Sequence, residues 1–154
     1  MSAQEKHTKS FVVDTNLFVA AIKPFSRLSR RSRSAETKSL SLLVKLIMSD
    51  ELELKGNSIL MNEYRRFAQE LHSEASRLIL KQLIEKTAVV DVTEYSIDRC
   101  KPYFPTLESA DIIHAATCLQ TDSILITNDR HFREIKESGK IVVWSITEAM
   151  RNLL

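Results

Sequence analysis

Short runs of branched apolar residues alternate along this chain with longer segments of helical periodicity, and that alternation restricts the fold more than any other feature. SFVVD (10–14) reads as a buried strand, with TNLFVAAI directly after it as a helix. SILIT (123–127) is followed by the helical DRHFREIKE, and KIVVW (140–144) by SITEAMRNLL. Strands that are apolar throughout need cover on both faces, and strands joined through helices pair in parallel. The pattern predicts an α/β domain, a three-layer α/β/α sandwich around a central, mainly parallel sheet of about five strands.

The intervening segments complete the alternation. TKSLSLLVKLIMSD (37–50) carries Leu40, Leu43, Val44 and Ile47 at helical spacing. ELELKGN reads as a short strand ending at Gly56, with Asn57 or Ser58 to cap the helix SILMNEYRRFAQEL. A helix is expected over 73–86, a strand in TAVVDV (87–92) and a helix over 94–101. KPYFPT (101–106) is a Pro-bounded connection, and LESADIIHAATCLQ (107–120) is a helix. With only two Gly and three Pro, the chain suits helices joined by short connections better than a turn-rich β fold. PFSRLSRRSRSAE (24–36) is the exception, a basic Ser/Arg-rich loop that holds Arg27, Arg30, Arg31 and Arg33. No repeat or linker interrupts the pattern, so residues 10–154 are expected to form one domain behind a disordered tail at 1–9.

The net charge of +2 does not by itself announce a nucleic-acid partner, so any basic footprint must be local. Cys100 and Cys118 have no metal-ligand spacing and read as reduced thiols, Cys118 on the packed side of its helix. No apolar run approaches the ~18 residues of a membrane span. The opening MSAQEKHTKS is polar and lacks the apolar stretch of a signal peptide. A cytoplasmic protein with no membrane partner is the expectation.

The acids raise the functional question. Asp14 ends the first strand, and Asp129 lies two residues past Thr127. In open α/β sheets ligands bind beyond the carboxyl ends of the strands, so neighbouring strands would bring these carboxylates into one crevice. Glu63 flanks the apolar stripe of Leu60, Tyr64, Phe67 and Leu71. Asp111 is set among Ala110, Ile112, Ile113, Ala115 and Ala116. Each has an ordinary reading. Asp14 and Asp129 could cap helices, Glu63 could pair with Arg65 or Arg66, and Asp111 with a buried Arg or His. Together they weigh differently. At ~5 Å and an effective dielectric of ~20, each pair of carboxylates repels by about 3 kcal/mol. Even with half the pairs distant, the sum is on the order of 10 kcal/mol, comparable with a domain's whole stability. Either some acids hold protons or a multivalent cation sits among them. Oxygen donors without cysteine suit Mg²⁺ or Mn²⁺ rather than Zn²⁺.

Four segments in order, VVDTNLF, NEYRRF, SADIIHAATCL and LITNDRHF, resemble the PIN domain over about residues 10 to 152. This is a fold of metal-dependent ribonucleases that includes VapC-like toxins of prokaryotic toxin–antitoxin pairs. The resemblance implies that Asp14, Glu63, Asp111 and Asp129 are the catalytic acids and hold one or two divalent ions at the carboxyl edge of the sheet. Asn16 and Thr127 fall on its supporting polar positions. The implied reaction is hydrolysis of an RNA phosphodiester, with water attacking phosphorus in line and no protein nucleophile. Asp14, Asp111 and Asp129 are the expected ligands, and Glu63 is either a ligand or a group that orients the water. An antitoxin partner placing a basic side chain in the acidic cleft, and a homodimer, are also implied.

The remaining residues divide between ordinary and functional readings. His114 is read first as a hydrogen-bonded packing residue, against one that faces the cleft, and His131 as a surface histidine, against one that contacts substrate. Arg130 and Arg133 could touch phosphate or pair with Glu134 or Glu137. The cluster from Arg27 to Arg33 is the candidate RNA phosphate clamp, against a solvated loop or a dock for an acidic partner segment. Tyr103 and Phe104 could stack a base, with burial the first reading. Two alternatives stay open: a non-catalytic RNA- or protein-binding module of the same fold, and a phosphatase of the haloacid dehalogenase type. The latter needs a second Asp two residues after the first, where this chain has Asn16.

Overall fold

A computed structural model describes residues 9–22, 32–105 and 109–154, with backbone alone over 32–37 and at 109. Five strands form one parallel sheet: β1 (Lys9–Val13), β2 (Leu52–Gly56), β3 (Ala88–Val89), β4 (Ile124–Ile126) and β5 (Val143–Trp144), in the order β3-β2-β1-β4-β5. β1 pairs Phe11 with Leu54 on one side and Val13 with Ile126 on the other. Its last three residues are buried because the central strand is covered on both faces. The predicted three-layer α/β/α architecture is the one observed.

The helices are α1 (Thr15–Ile22), α2 (Ser32–Met48), α3 (Ser58–Glu70), α4 (Glu74–Lys86), α5 (Glu94–Cys100), α6 (Ser109–Thr121), α7 (Arg133–Ser138) and α8 (Ile146–Leu153). α2 packs with α1, α4 and α8 and covers β2 on one face, while α6 runs against β1, β2 and β4 with α5 beside it. Leu42, Leu43 and Leu46 of α2 and Ala115, Ala116 and Cys118 of α6 are the buried faces of these two layers. α3 reaches α1, α4 and α6, so it closes the carboxyl end of the sheet. Asn57 begins it from extended backbone, its Oδ1 accepting from the Leu60 N–H at 2.8 Å. Gly56 permits this turn: a Cβ there would stand 2.8 Å from Thr87 Cγ2 and 2.9 Å from Met61 Cε.

Several boundaries differ from the expectation. α2 begins at Ser32, so the end of the predicted 24–36 loop is helical; Arg27, Arg30 and Arg31 lie outside the described residues, and Arg33 is described as backbone only. The strands expected over 87–92 and 140–144 shrink to two residues each. Both are edge strands with one neighbour, so their pairing ends where β2 and β4 turn away. The helix expected from Asp129 starts as a 3-10 turn, Arg130–Phe132, because Asp129 accepts from the nearby His131 N–H. Cys100 and Cys118 are free and buried. Among the described residues, no helix is long and apolar enough to cross a membrane.

Candidate active site

Connections leave β1 toward β2 and β3 on one side, and β4 toward β5 on the other. The strand order therefore reverses between β1 and β4, and a crevice opens at their carboxyl ends. Asp14 and the Thr127-Asn128-Asp129 segment stand at this point. The Asp14 N–H donates to Ile126 O at 3.0 Å, which extends the ladder by one residue and fixes where the carboxylate emerges.

The Thr127 hydroxyl, almost fully buried, ties the two strand ends together. It donates to Asp14 Oδ2 at 2.6 Å and accepts from Asn16 Nδ2 at 3.1 Å and from the Asp129 N–H at 3.0 Å. Asp14 Oδ1 accepts from the Thr15 N–H at 2.7 Å. Asn16 Oδ1 takes the Asn128 N–H, and Asn128 Oδ1 takes the Ile146 N–H at the start of α8. Asn16 and Thr127 thus hold the two strand ends together.

Asp111 enters from the first turn of α6 with its side chain 16% exposed. Its Oδ2 lies 3.0 Å from His131 Nδ1, which is also 3.3 Å from Asp129 Oδ1. One ligand-capable atom of each of Asp111, Asp129 and His131 falls within 4.8 Å of the others. Asp129 also caps the 3-10 turn through Oδ1 and the His131 N–H at 3.0 Å, so the capping reading and the cluster hold together.

Glu63 stands apart from that cluster, held from the next turn of α6. His114 Nε2 is 3.3 Å from Glu63 Oε1, and His114 Nδ1 is 3.0 Å from Asn57 Nδ2. The Asn57 orientation is set by its oxygen on the Leu60 N–H, so its amide nitrogen faces the ring and donates. His114 Nδ1 must then accept, Nε2 carries the hydrogen, and the ring donates to Glu63. Asn57 Nδ2 also reaches Thr117 Oγ1 at 3.0 Å. His114 is therefore the buried, bonded residue expected, but its bond orients a candidate acid.

Tyr64, expected only as part of an apolar stripe, donates its hydroxyl to the Val13 carbonyl immediately before Asp14. Burial pushes its phenol pKa well above the usual value, with the negative charges of Asp14 and Glu63 adding to the effect. Tyr64, the residue after Glu63, thus ties α3 to the end of β1 beside Asp14. Among the described residues, no Lys or Arg pairs with Asp14, Glu63 or Asp129. Arg130 is exposed, Arg133 pairs with Glu137 at 3.2 Å, and Arg65 with Asn62. Phe104 is buried edge-on against Phe132, as the burial reading expected. Reading the sequence missed the His131 bridge and the Asn57–His114 pair, because both depend on where α6 lies against the sheet.

The arrangement offers carboxylate oxygens from three elements at one sheet edge, an array suited to a hard divalent cation. The sequence pattern of the PIN domain matches residues 11–138. No curated protein matches the chain. Its fold is similar to a chain of the VapBC2 complex from Rickettsia felis bound to a DNA fragment from their promoter. That likeness has a TM-score of 0.60 at 14% identity and covers 88% of this chain and 98% of that one. It is similar also to a chain of FitAB bound to the IR36 DNA fragment, with a TM-score of 0.54 at 17% identity, covering 88% and 94%. With a match spanning most of its length and the corresponding three-layer fold, the chain belongs to the PIN-domain family.

Proposed function

We propose that this protein is a divalent-metal-dependent endoribonuclease that hydrolyses RNA phosphodiester bonds, and that it is the toxin of a toxin–antitoxin pair. The observation that carries the reading is the cluster of Asp111, Asp129 and His131 at the sheet edge, linked to Asp14 through the Thr127 hydroxyl. Family membership supports nuclease chemistry, and the likeness to chains of the two-component assemblies VapBC2 and FitAB supports a protein partner, which we read as an antitoxin.

Asp14, Asp111 and Asp129 would hold Mg²⁺ or Mn²⁺, with Glu63 as a further ligand or as the group that orients water. When bound, the ion lowers the pKa of water and offsets charge on the phosphate. Thr127 and Asn16 fix the Asp14 carboxylate through Oδ2. His114 Nε2 occupies Glu63 Oε1 and leaves Oε2 to accept a hydrogen bond from water. Arg130, exposed one residue after Asp129, would meet an RNA phosphate, and Arg27, Arg30, Arg31 and Arg33 would supply a wider clamp. A homodimer is part of the same proposal.

One observation favours the non-catalytic module: Asp14 and Asp129 each accept a local backbone N–H, a purely structural task. Asp129→Asn separates the readings, because Asn caps as well as Asp but removes the charge. We expect labelled RNA to be cut with Mg²⁺ or Mn²⁺, and not with EDTA. Cleavage should fall by about 100-fold in Asp129→Asn, the upper end of losses seen when a metal site is disturbed, at a melting temperature unchanged in EDTA. Equal cleavage by the variant, or cleavage that survives EDTA, rejects the metal-dependent nuclease. Co-expression with the neighbouring reading frame tests the toxin role, with restored growth the expected result.

A further inference from the structure

We propose that His131 Nδ1 is itself a ligand of the divalent ion and biases the site toward Mn²⁺ over Mg²⁺, an inference that rests on the metal-dependent reading above. Nδ1 stands 3.0 Å from Asp111 Oδ2 and 3.3 Å from Asp129 Oδ1. Two ligand atoms at right angles around an ion, each about 2.1 Å away, are about 3.0 Å apart. The imidazole is thus spaced from both carboxylates like a neighbouring corner of an octahedron. Nδ1 carries at most one hydrogen, so it bonds one carboxylate well and the other poorly. A single cation among the three atoms satisfies all of them.

The position is built rather than accidental. The His131 N–H donates to Asp129 Oδ1 at 3.0 Å. The next residue, Phe132, is buried and packs edge-on against Phe104 at 5.8 Å between ring centroids. The backbone that carries the imidazole is therefore pinned from both sides, while the side chain is 57% exposed and fills no core space. Mg²⁺ prefers oxygen and water and gains little from a nitrogen donor. A first-row transition ion gains more, and Mn²⁺ is the one that a carboxylate-rich octahedral site suits.

The test uses Mn²⁺ as the probe, on the full chain at mildly alkaline pH, where free imidazole is neutral. Pulsed electron paramagnetic resonance of bound Mn²⁺ reads nitrogen coupling directly, and calorimetry reads affinity for Mn²⁺ and Mg²⁺. We expect an imidazole nitrogen signal in the wild type that vanishes in His131→Ala and persists in His114→Gln. Mn²⁺ affinity should fall about tenfold in His131→Ala, the lower end of losses at metal sites, with Mg²⁺ affinity much less changed and the melting temperature preserved. Bound Mn²⁺ without nitrogen coupling overturns the proposal and leaves the nuclease reading intact. Nitrogen coupling lost in His114→Gln instead also overturns it. Mn²⁺ uptake equal to that of Asp129→Asn overturns both.

Discussion

Two of the candidate acids, Asp14 and Glu63, are each held by a neighbour whose hydrogen can point in one direction only. The Thr127 hydroxyl accepts from two N–H groups, so its own hydrogen goes to Asp14. His114 accepts from Asn57, so its hydrogen goes to Glu63. The family resemblance named Thr127 as a supporting polar position, but not its bond to Asp14. The bond to Glu63 was not legible either, because nothing in the sequence around Asn57 says that α6 passes above it. Tyr64 shows the same limit: an aromatic at helical spacing reads as core, and only its bond to the Val13 carbonyl reveals a second task. That task has a measurable signature. Tyr64 is held neutral by burial and by Asp14 and Glu63, with its pKa raised above 10.0. The folded protein therefore keeps the phenol proton more tightly than the unfolded chain does. This stability is complete below the ordinary phenol value and is lost as pH rises from there toward the folded value, by at most about 1.4 kcal/mol per pH unit. Burial of Cys100, its thiol pushed up to about 11, and of Cys118 adds alkaline loss of the same sign. Urea midpoints between about pH 10 and 11 should therefore fall less steeply in Tyr64→Phe than in the wild type. Parallel lines for the two proteins would show that the phenol is not held neutral.

Among elements, the long helices were the easiest to read and the edge strands the hardest. α3 and α6 follow periodicity over 13 residues each, enough for one face to declare itself. β3 and β5 pair over two residues each, and the apolar residues beside them are buried or exposed by packing rather than by the ladder. Val142 is exposed beside buried Ile141 and Val143, a local alternation that gives no boundary. The junction of β2 with α3 depends instead on Gly56 lacking a side chain. Thr87 cannot swing away from an added Cβ, since its hydroxyl is held at 2.7 Å by the Leu83 carbonyl. Met61 Cε can move, at the cost of core packing. Gly56→Ala should therefore destabilise by about 1–3 kcal/mol, the usual range for overpacking, read as a lower urea midpoint at unchanged slope. It should also weaken the cap that sets Asn57, and through His114 the orientation of Glu63. A neutral Gly56→Ala would mean that Thr87 and Met61 yield freely and that this contact does not position the site.

At the scale of the whole molecule, the fold decides which charges meet. Asp14 and Asp129 are more than a hundred residues apart in sequence, and the reversal of strand order between β1 and β4 makes them neighbours. That meeting was legible from alternating strands and helices, because a doubly wound sheet has few places for a ligand. The approach of α6, which brings Asp111 to His131, was not, because it depends on how one helix lies across three strands. A protein built this way gathers like charges at one edge and forgoes stability for it. Histidines rather than arginines or lysines pair with Glu63 and Asp129 among the described residues, so this crowding is relieved only in part. A divalent ion that binds the folded state alone should add about 2.7 kcal/mol at 100 times its dissociation constant. For a domain of this size that is a rise of about 5–10 °C in melting temperature. Asp129→Asn keeps the cap and removes one charge, so without metal it should melt no lower than the wild type, while its rise with Mn²⁺ should disappear. The two curves should therefore diverge only when metal is added. A variant that melts several degrees lower in EDTA would show Asp129 to be a structural partner of His131. An equal rise with Mn²⁺ in both proteins would place the ion elsewhere on the molecule.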